Sequence, residues 1–247
     1  MENSKIYFAS DFHLGVPSYE ESRLREKRIC DWLDSIKNDA KEIFLVGDIF
    51  DFWFEHKYTI PKYHTRFIGK IAELTDSGIK VHFFIGNHDM WMFDYFEKEL
   101  GVTIYQNPII REFNGKKFFI GHGDGLGPGD NKYKFIKSLF RNKFCQWMFA
   151  RLHPNLSFGI ANFFSKRSRL ATGQSDEVFK GEDEEWLIQF CKDYLKNDKI
   201  DFFIFGHRHL CLDIDLGNNS RYINLGHWMK SGQYAFFDNN ILKIIKL

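Results

Sequence analysis

Short apolar runs recur along the chain, and each stops at residues able to bind a metal. Ile6–Ser10, Ile43–Val46, Val81–Ile85, Phe118–Ile120 and Phe202–Phe205 are too short for helices and rich in β-branched and aromatic side chains, which predicts strands. Four of the five end at a glycine. Between the first three the period changes to that of a helix. Glu20 to Asn38 sets Leu24, Ile29, Trp32, Leu33 and Ile36 roughly on one face, and Arg66 to Asp76 does the same with Phe67, Ile71 and Leu74. Alternating strand and helix predicts a largely parallel sheet in this half. Near the end, Ser220–Asn224, Tyr234–Phe237 and Ile241–Ile245 read as strands, the last two joined by an Asp-Asn-Asn turn. A mixed α/β sandwich is expected, with ligands bound beyond the carboxyl ends of its strands.

The polar residues after the strands give that expectation its chemistry. In order they are Asp11-Phe12-His13, Gly47-Asp48 with Asp51, Gly86-Asn87-His88-Asp89, Gly121-His122-Gly123-Asp124 and Gly206-His207-Arg208-His209. Any one is plainly read as a turn holding a satisfied histidine. Together they deliver seven oxygen and nitrogen donors, about what two adjacent cations need if one carboxylate is shared. A mixed carboxylate, imidazole and amide set with no thiolate suits Mn, Fe or Zn, and Mn is favoured.

Composition changes the picture where charge is concerned. The 247 residues are 44% hydrophobic and 18% aromatic, enough for a large core in a single domain with an inserted lobe. From Asn131 to Arg169 there are nine Lys and Arg and no acid, which leaves the rest of a chain of net charge +1 at −8. These cations are interleaved with Phe135, Leu139, Phe140, Phe144, Trp147, Phe149 and Phe158. A solvated amphipathic helical pair is the plain reading. The absence of acids and the 14 uncharged residues from Leu152 to Ser165 favour a lobe, at about 131–175, for a substrate both anionic and apolar. Cys30, Cys145, Cys191 and Cys211 are widely spaced, which fits buried thiols in a reducing compartment. The start, MENSKIYFASD, carries no basic and apolar leader, and no apolar stretch reaches the ~18 residues of a membrane span, so a cytoplasmic, non-integral protein is expected.

The ordered D-x-H, G-D-x-x-D, G-N-H-D, G-H and G-H-x-H blocks resemble those of the calcineurin-like metallophosphoesterases over nearly the whole chain. The resemblance implies a β-sandwich flanked by helices, in four layers α/β/β/α. It also implies that Asp11, His13, Asp48 and His209 hold one metal and that Asp48, Asn87, His122 and His207 hold the other, with Asp48 as the bridge. His88 would then face the phosphate with Asn87 beside it, and Asp89 would accept from the second ring nitrogen of His88 and fix its tautomer. Catalysis would fall to Asp48, His88 and Asp89, by in-line attack of an acidified water on phosphorus. The plain alternative for His88 is a structural residue.

GDIFDFWFE, HGDGLGPGDNKYKF and LHPNLSFGIANFFSKRSR narrow the resemblance to the UDP-2,3-diacylglucosamine pyrophosphohydrolases of lipid A synthesis, in the form found in Bacteroidetes-type bacteria. That group implies cleavage to UMP and a diacylglucosamine 1-phosphate by a monomer resting on the inner-membrane surface, with a nucleotide-linked lipid as substrate and no nucleic acid. Asp130 and Tyr133 would contact substrate, against plain readings of loop capping and core packing. Lys166, Arg167 and Arg169 would meet phosphate or uridine groups. Better-known proteobacterial members carry Arg where this chain has His88, and Gly-Asp-Asp where it has Phe54-Glu55-His56. The rivals are a nuclease of the same superfamily, and a non-catalytic membrane-binding module with a structural metal. His56, His64, His82, His153 and His227 read as surface or core histidines, and Asp176 to Glu185 as the solvated start of a helix through Trp186, Phe190 and Leu195.

Overall fold

Alternation of strand and helix in the first hundred residues becomes, in a computed structural model, one face of a two-sheet sandwich. The structure describes residues 4–127, 131–161, 163, 178–179 and 181–247, without the side chains of 131–133. The first sheet holds six strands in the order β11-β10-β1-β2-β3-β4. Its parallel part is β1 (Lys5–Ala9), β2 (Ala40–Val46), β3 (Lys80–Phe84) and β4 (Thr103–Tyr105). β10 (Gln233–Asp238) and β11 (Ile241–Lys246) extend it as an antiparallel hairpin. Asn239 and Asn240 close that hairpin with φ of 47° and 65°, the left-handed pair a tight two-residue turn demands. The second sheet runs β5-β6-β7-β9-β8, from β5 (Ile109–Phe113), β6 (Lys116–Ile120), β7 (Phe202–Phe205), β8 (Cys211–Gly217) and β9 (Ser220–Leu225).

Three apolar clusters lie between the layers. α1 (Tyr19–Ile36), α2 (Thr65–Asp76) and α3 (Tyr95–Leu100) pack Ile29, Trp32, Leu33, Phe67, Ile71 and Phe96 onto the outer face of the first sheet. Phe8, Phe44, Phe118, Ile204 and Ile223 fill the space between the sheets. α6 (Trp186–Tyr194) covers the second sheet with Leu187, Ile188 and Cys191. The four-layer α/β/β/α order follows, because each sheet is apolar on both faces and each face must be covered.

Some elements differ in detail from the sequence expectation. Leu24 was placed on the buried stripe of α1 yet is 63% exposed, while Ser22, Arg25 and Glu26 are buried. Spacing alone could not reveal that the inner face at this end carries polar contacts to the loop after β1. Glu185 is 2% exposed and pairs with Arg208, and α6 begins only at Trp186, so the end of the acidic run is a buried cap and not a solvated first turn.

α4 (Asn131–Arg141), α5 (Lys143–Phe149) and helical residues 154–161 occupy the expected lobe region. Asn142 ends one helix and caps the next, accepting from the backbone N–H of Phe144 and Cys145. The lobe leaves Phe135, Phe144, Trp147 and Phe163 exposed.

Candidate metal centre

Every donor named from the sequence sits on a loop that leaves a strand at its carboxyl end, and the loops converge. Asp11 and His13 follow β1, Asp48 follows β2, Asn87 follows β3, His122 follows β6, and His207 and His209 follow β7. Five of them adopt the left-handed region, with φ of 54° at Asp11, 45° at His13, 51° at Asp48, 68° at His207 and 52° at His209. Non-glycine residues avoid this region, and a cluster of them marks backbone strain held for a purpose.

Among the described residues three groups could hold a metal: Asp11 with His13 and His209, Asp48 with His122 and His207, and His13 with Asp51 and His88. His13 Nε2 lies 3.0 Å from His209 Nε2, 3.7 Å from Asp11 Oδ1 and 3.8 Å from Asp48 Oδ2, and His209 Nε2 lies 3.3 Å from Asp11 Oδ1. On the other side His122 Nε2 is 3.4 Å from Asp48 Oδ2 and 3.2 Å from Asn87 Oδ1, which is 2.8 Å from His207 Nδ1. Ligand atoms bound at ~2.1 Å to one ion stand about 3.0–3.4 Å from their neighbours, a range that the 3.0, 3.2, 3.3 and 3.4 Å spacings meet and the 3.7 and 3.8 Å spacings exceed. Two imidazole nitrogens converging at 3.0 Å make sense around a shared positive charge. The residues fit divalent ions, and Asp48 Oδ2 lies between the two sides, 3.4 Å from His122 and 3.8 Å from His13.

The glycines that break the strands make room for this packing. A Cβ on Gly86 would stand 2.1 Å from Asp48 Oδ1, and one on Gly206 would stand 2.4 Å from Asp11 Oδ2. The same Cβ on Gly86 would stand 2.5 Å from the backbone N of Asp48, so Gly86→Ala should shift the Asp48 loop and cut metal affinity at least tenfold, read by metal content with circular dichroism to follow the fold. Unchanged metal content would show that the Asp48 carboxylate does not need its present position.

The model of one family, calcineurin-like phosphoesterase, matches residues 4–211. The chain belongs to this family. A UDP-2,3-diacylglucosamine hydrolase of Porphyromonas gingivalis is 40% identical over 97% of this chain and 96% of its own length. The enzyme of the same name from Proteus mirabilis is 26% identical over 97% of both chains. A solved E. coli phosphoesterase aligns over 98% of each chain at 15% identity and a TM-score of 0.43. Calcineurin-like phosphoesterases use divalent metals, and the side chains gathered here are a donor set for them.

Charge at this phosphoesterase site is balanced in favour of cations. Burial works against a charged ring at His13 and His122, yet Asp11, Asp51 and Asp48 around the first and Asp48 and Asp11 around the second raise both to about 10. Burial also opposes ionisation of Asp11 and Asp48, and the surrounding histidines outweigh it and hold both carboxyls below the usual range. His207 goes the other way: burial and then His122 push it down to about 4, leaving a neutral ring able to donate a lone pair.

His88 requires a correction. Its backbone N–H donates to Asp48 Oδ1 at 2.9 Å, and its ring Nδ1 donates to the carbonyl oxygen of Asp51 at 3.2 Å, with Asp51 Oδ1 at 3.6 Å. Asp89 was expected to fix the tautomer of His88 and does not. Its Oδ1 accepts from Gly86 N–H, and its Oδ2 accepts from Ile49 N–H and, at longer range, Phe50 N–H. Fully buried, it ties the loop after β3 to the loop after β2, and burial together with the charge of Asp48 pushes it up to about 7. A carboxylate one residue from His88 has no room to reach its ring, because the tight turn points the two side chains apart. Asp51, quoted in the sequence only as the end of its block, is the carboxylate beside the ring.

Other residues brace the loops. Arg25 is 2% exposed and donates to the carbonyl oxygens of His13, at 2.6 Å, and Val16. Asn224 Nδ2 donates to Gly206 O at 2.6 Å, and Trp228 N–H to Asp11 O at 3.0 Å. Neither Arg25 nor Asn224 carried a sequence signal, since both act through backbone carbonyls. His227 lies 5.4 Å from His209, ring to ring, and accepts from Met229 N–H. Glu55 accepts from Trp53 Nε1 and from the first amides of α3, a structural use. Asp130, Lys166, Arg167 and Arg169 lie outside the described residues, as does the side chain of Tyr133.

Proposed function

We propose that this chain hydrolyses the pyrophosphate bond of UDP-2,3-diacylglucosamine, giving UMP and 2,3-diacylglucosamine 1-phosphate for lipid A synthesis. Asp11, His13, Asp48 and His209 would hold one divalent ion, and Asp48, Asn87, His122 and His207 a second, both Mn2+. Bound there, the ions supply Lewis-acid stabilisation of phosphoryl oxygens and acidify water at neutral pH. Asn87 and His88 meet the phosphate. With Nδ1 held by Asp51, the ring of His88 presents Nε2; burial holds this ring below the usual histidine range, and the negative charge of a bound phosphate would offset that and favour the protonated form. Nε2 then donates to the phosphoryl oxygens as charge grows and passes its proton to the leaving oxygen. Asp89 keeps the loops of Asp48 and Asn87 in register.

The observation that carries this reading is where the lobe joins the site. Trp91, three residues past His88, donates Nε1–H to Phe140 O at 2.8 Å and packs 4.6 Å from the Phe149 ring. Phe52, next to Asp51, meets Phe158 at 5.4 Å. An apolar, acid-poor lobe thus begins where the phosphate would sit, as a diacylated, doubly phosphorylated substrate requires. Phe135, Phe144 and Trp147, exposed among lysines, would rest on an anionic inner-membrane surface from the cytoplasmic side, a part tested by sedimentation with anionic vesicles. Asp130, Tyr133, Lys166, Arg167 and Arg169 are proposed as substrate contacts on the same lobe. Among the described residues no helix is long and apolar enough to cross a membrane.

The test is manganese-dependent release of UMP from UDP-2,3-diacylglucosamine, abolished by chelation and restored by Mn2+. Cleavage of single-stranded DNA without UMP release from the lipid would overturn the reading.

A further inference from the structure

A cavity of about 200 Å3 lies beside the proposed metal centre, between the first turns of α1 and α2. Because these helices follow β1 and β2, it stands at the same carboxyl-terminal edge as the metal donors. Gly15, two residues beyond His13, forms one wall, and a Cβ there would lie 3.8 Å from His64 and 3.9 Å from Asp51.

Two polar groups in this cavity are more than nine-tenths buried and incompletely used. Glu26 is 3% exposed, and its Oε1 accepts from the backbone N–H of Arg66 and Phe67 at 2.9 and 3.1 Å. The amide end of α2 is therefore occupied and does not invite a free anion. Glu26 Oε2 has no hydrogen-bond partner among the described residues. His64 is 8% exposed, and neither ring nitrogen has a partner among them. Burial, and then Arg25, hold this ring down to about 4, so at neutral pH it carries one N–H and one lone pair. At the mouth stand Tyr19 and Tyr63, 54% and 51% exposed, with ring centroids 5.7 Å apart at 59°. Arg23 reaches the Tyr19 hydroxyl at 3.1 Å. A carboxylate oxygen, a neutral imidazole and an Arg line this one cavity, with two aromatic rings at its mouth, and together they complement a flat heterocycle with one N–H between two carbonyls.

We propose that this cavity takes the base of a uracil nucleotide, its imide N–H donating to Glu26 and its carbonyls accepting from His64 and Arg23. The assignment rests on reading the substrate as a UDP-linked lipid, and it gives the nucleoside half a place away from the lobe. Cytosine presents a lone pair where uracil presents N–H, so it would face the Glu26 carboxylate unpaired and be rejected.

Calorimetric titration of the Mn2+-loaded full chain with UMP and CMP tests this. The wild type should bind UMP at least tenfold more tightly than CMP. Glu26→Gln keeps an oxygen for Arg66 and Phe67 while offering an N–H in place of Oε2, and should lose or reverse that preference. Should that variant fold poorly, the double variant Tyr19→Ala/Tyr63→Ala decides, since both rings are exposed. It should weaken UMP binding and raise KM for the UDP-lipid about tenfold at wild-type metal content. Equal wild-type affinities for UMP and CMP, or UMP binding indifferent to these changes, would overturn the assignment. Absence of UMP release from the lipid by the wild type would instead count against the substrate reading, while the UMP and CMP titration still decides the cavity.

Discussion

Asp48→Asn is expected to lower turnover by at least ~10³-fold, about 4 kcal/mol of transition-state stabilisation, with a loss of bound metal. The side chain is 1% exposed, and its two oxygens do different work. Oδ1 accepts from the backbone N–H of His88 at 2.9 Å, whereas Oδ2 lies 3.4 Å from His122 Nε2 and 3.8 Å from His13 Nε2, one histidine from each donor group. Asparagine retains the size and one oxygen, so the His88 backbone contact can survive, but it removes the negative charge that a shared position needs. Two cations brought close repel each other strongly in a buried site, and a carboxylate shared between them, the role proposed for Asp48, would offset that repulsion. Metal analysis of the purified variant should therefore fall from two Mn2+ per chain to one or fewer. The rise in Tm on adding Mn2+ should shrink with it, since ligand-linked stability follows occupancy. Full occupancy with lost activity would show that Asp48 acts on the reaction and not by sharing ions.

Much of this centre is legible in the sequence because its elements obey two strong periodicities. Runs such as Val81–Ile85 are apolar at every position but His82, as suits strands covered on both faces, and Phe67, Ile71 and Leu74 keep the spacing of a helix against a sheet. Donors that follow such strands fall on one edge whatever the side-chain details, so Asp11, His13, Asp48, Asn87, His122, His207 and His209 could be named without coordinates. The misses share a different cause. Asp89 and Asp51 are both acids near His88 in the chain or in space, and which one reaches the ring depends on turn geometry that no spacing rule contains. Leu24 was misjudged for a related reason: the helix face at that end meets backbone carbonyls of the loop after β1, so Arg25, unread in the sequence, turns inward and Leu24 outward. β4, β5 and β8 went unread because they are short or half-exposed, without the continuous apolar pattern of a central strand.

Strain explains why the ligand loops need so much bracing. Five donors at positive φ each hold a conformation that costs of order 1–3 kcal/mol, and the cost has to be met by neighbours that fix the backbone. Asp89 accepts from three amides, Arg25 and Asn224 donate to carbonyls, and Asp11 accepts from His207 N–H at 3.0 Å. These contacts hold the loops of the proposed donors in one arrangement.

His88→Ala should lower kcat by ~10²–10⁴-fold, about 3–5 kcal/mol, while metal content stays at the wild-type level. The contact that ties residue 88 to the donors is its backbone N–H on Asp48, which alanine keeps. The ring makes a separate set of contacts: Nδ1 on the Asp51 carbonyl and an edge-on approach 4.9 Å from His13. Removing it deletes the proposed proton donor and leaves the spacings of the proposed metal donors as they are. Asp51→Asn should be milder on the His88 ring, because the main-chain carbonyl that fixes Nδ1 remains, while the carboxylate that stands 3.6 Å from His88 and 3.7 Å from His13 is lost. Asp89→Asn should show the opposite signature, with weaker metal binding and lower Tm, since one of its oxygens becomes an N–H facing a backbone N–H. Metal analysis beside steady-state kinetics separates the three. If His88→Ala loses its metal, the ring belongs to the ion shell; if it keeps both metal and turnover, the phosphate is met by other groups.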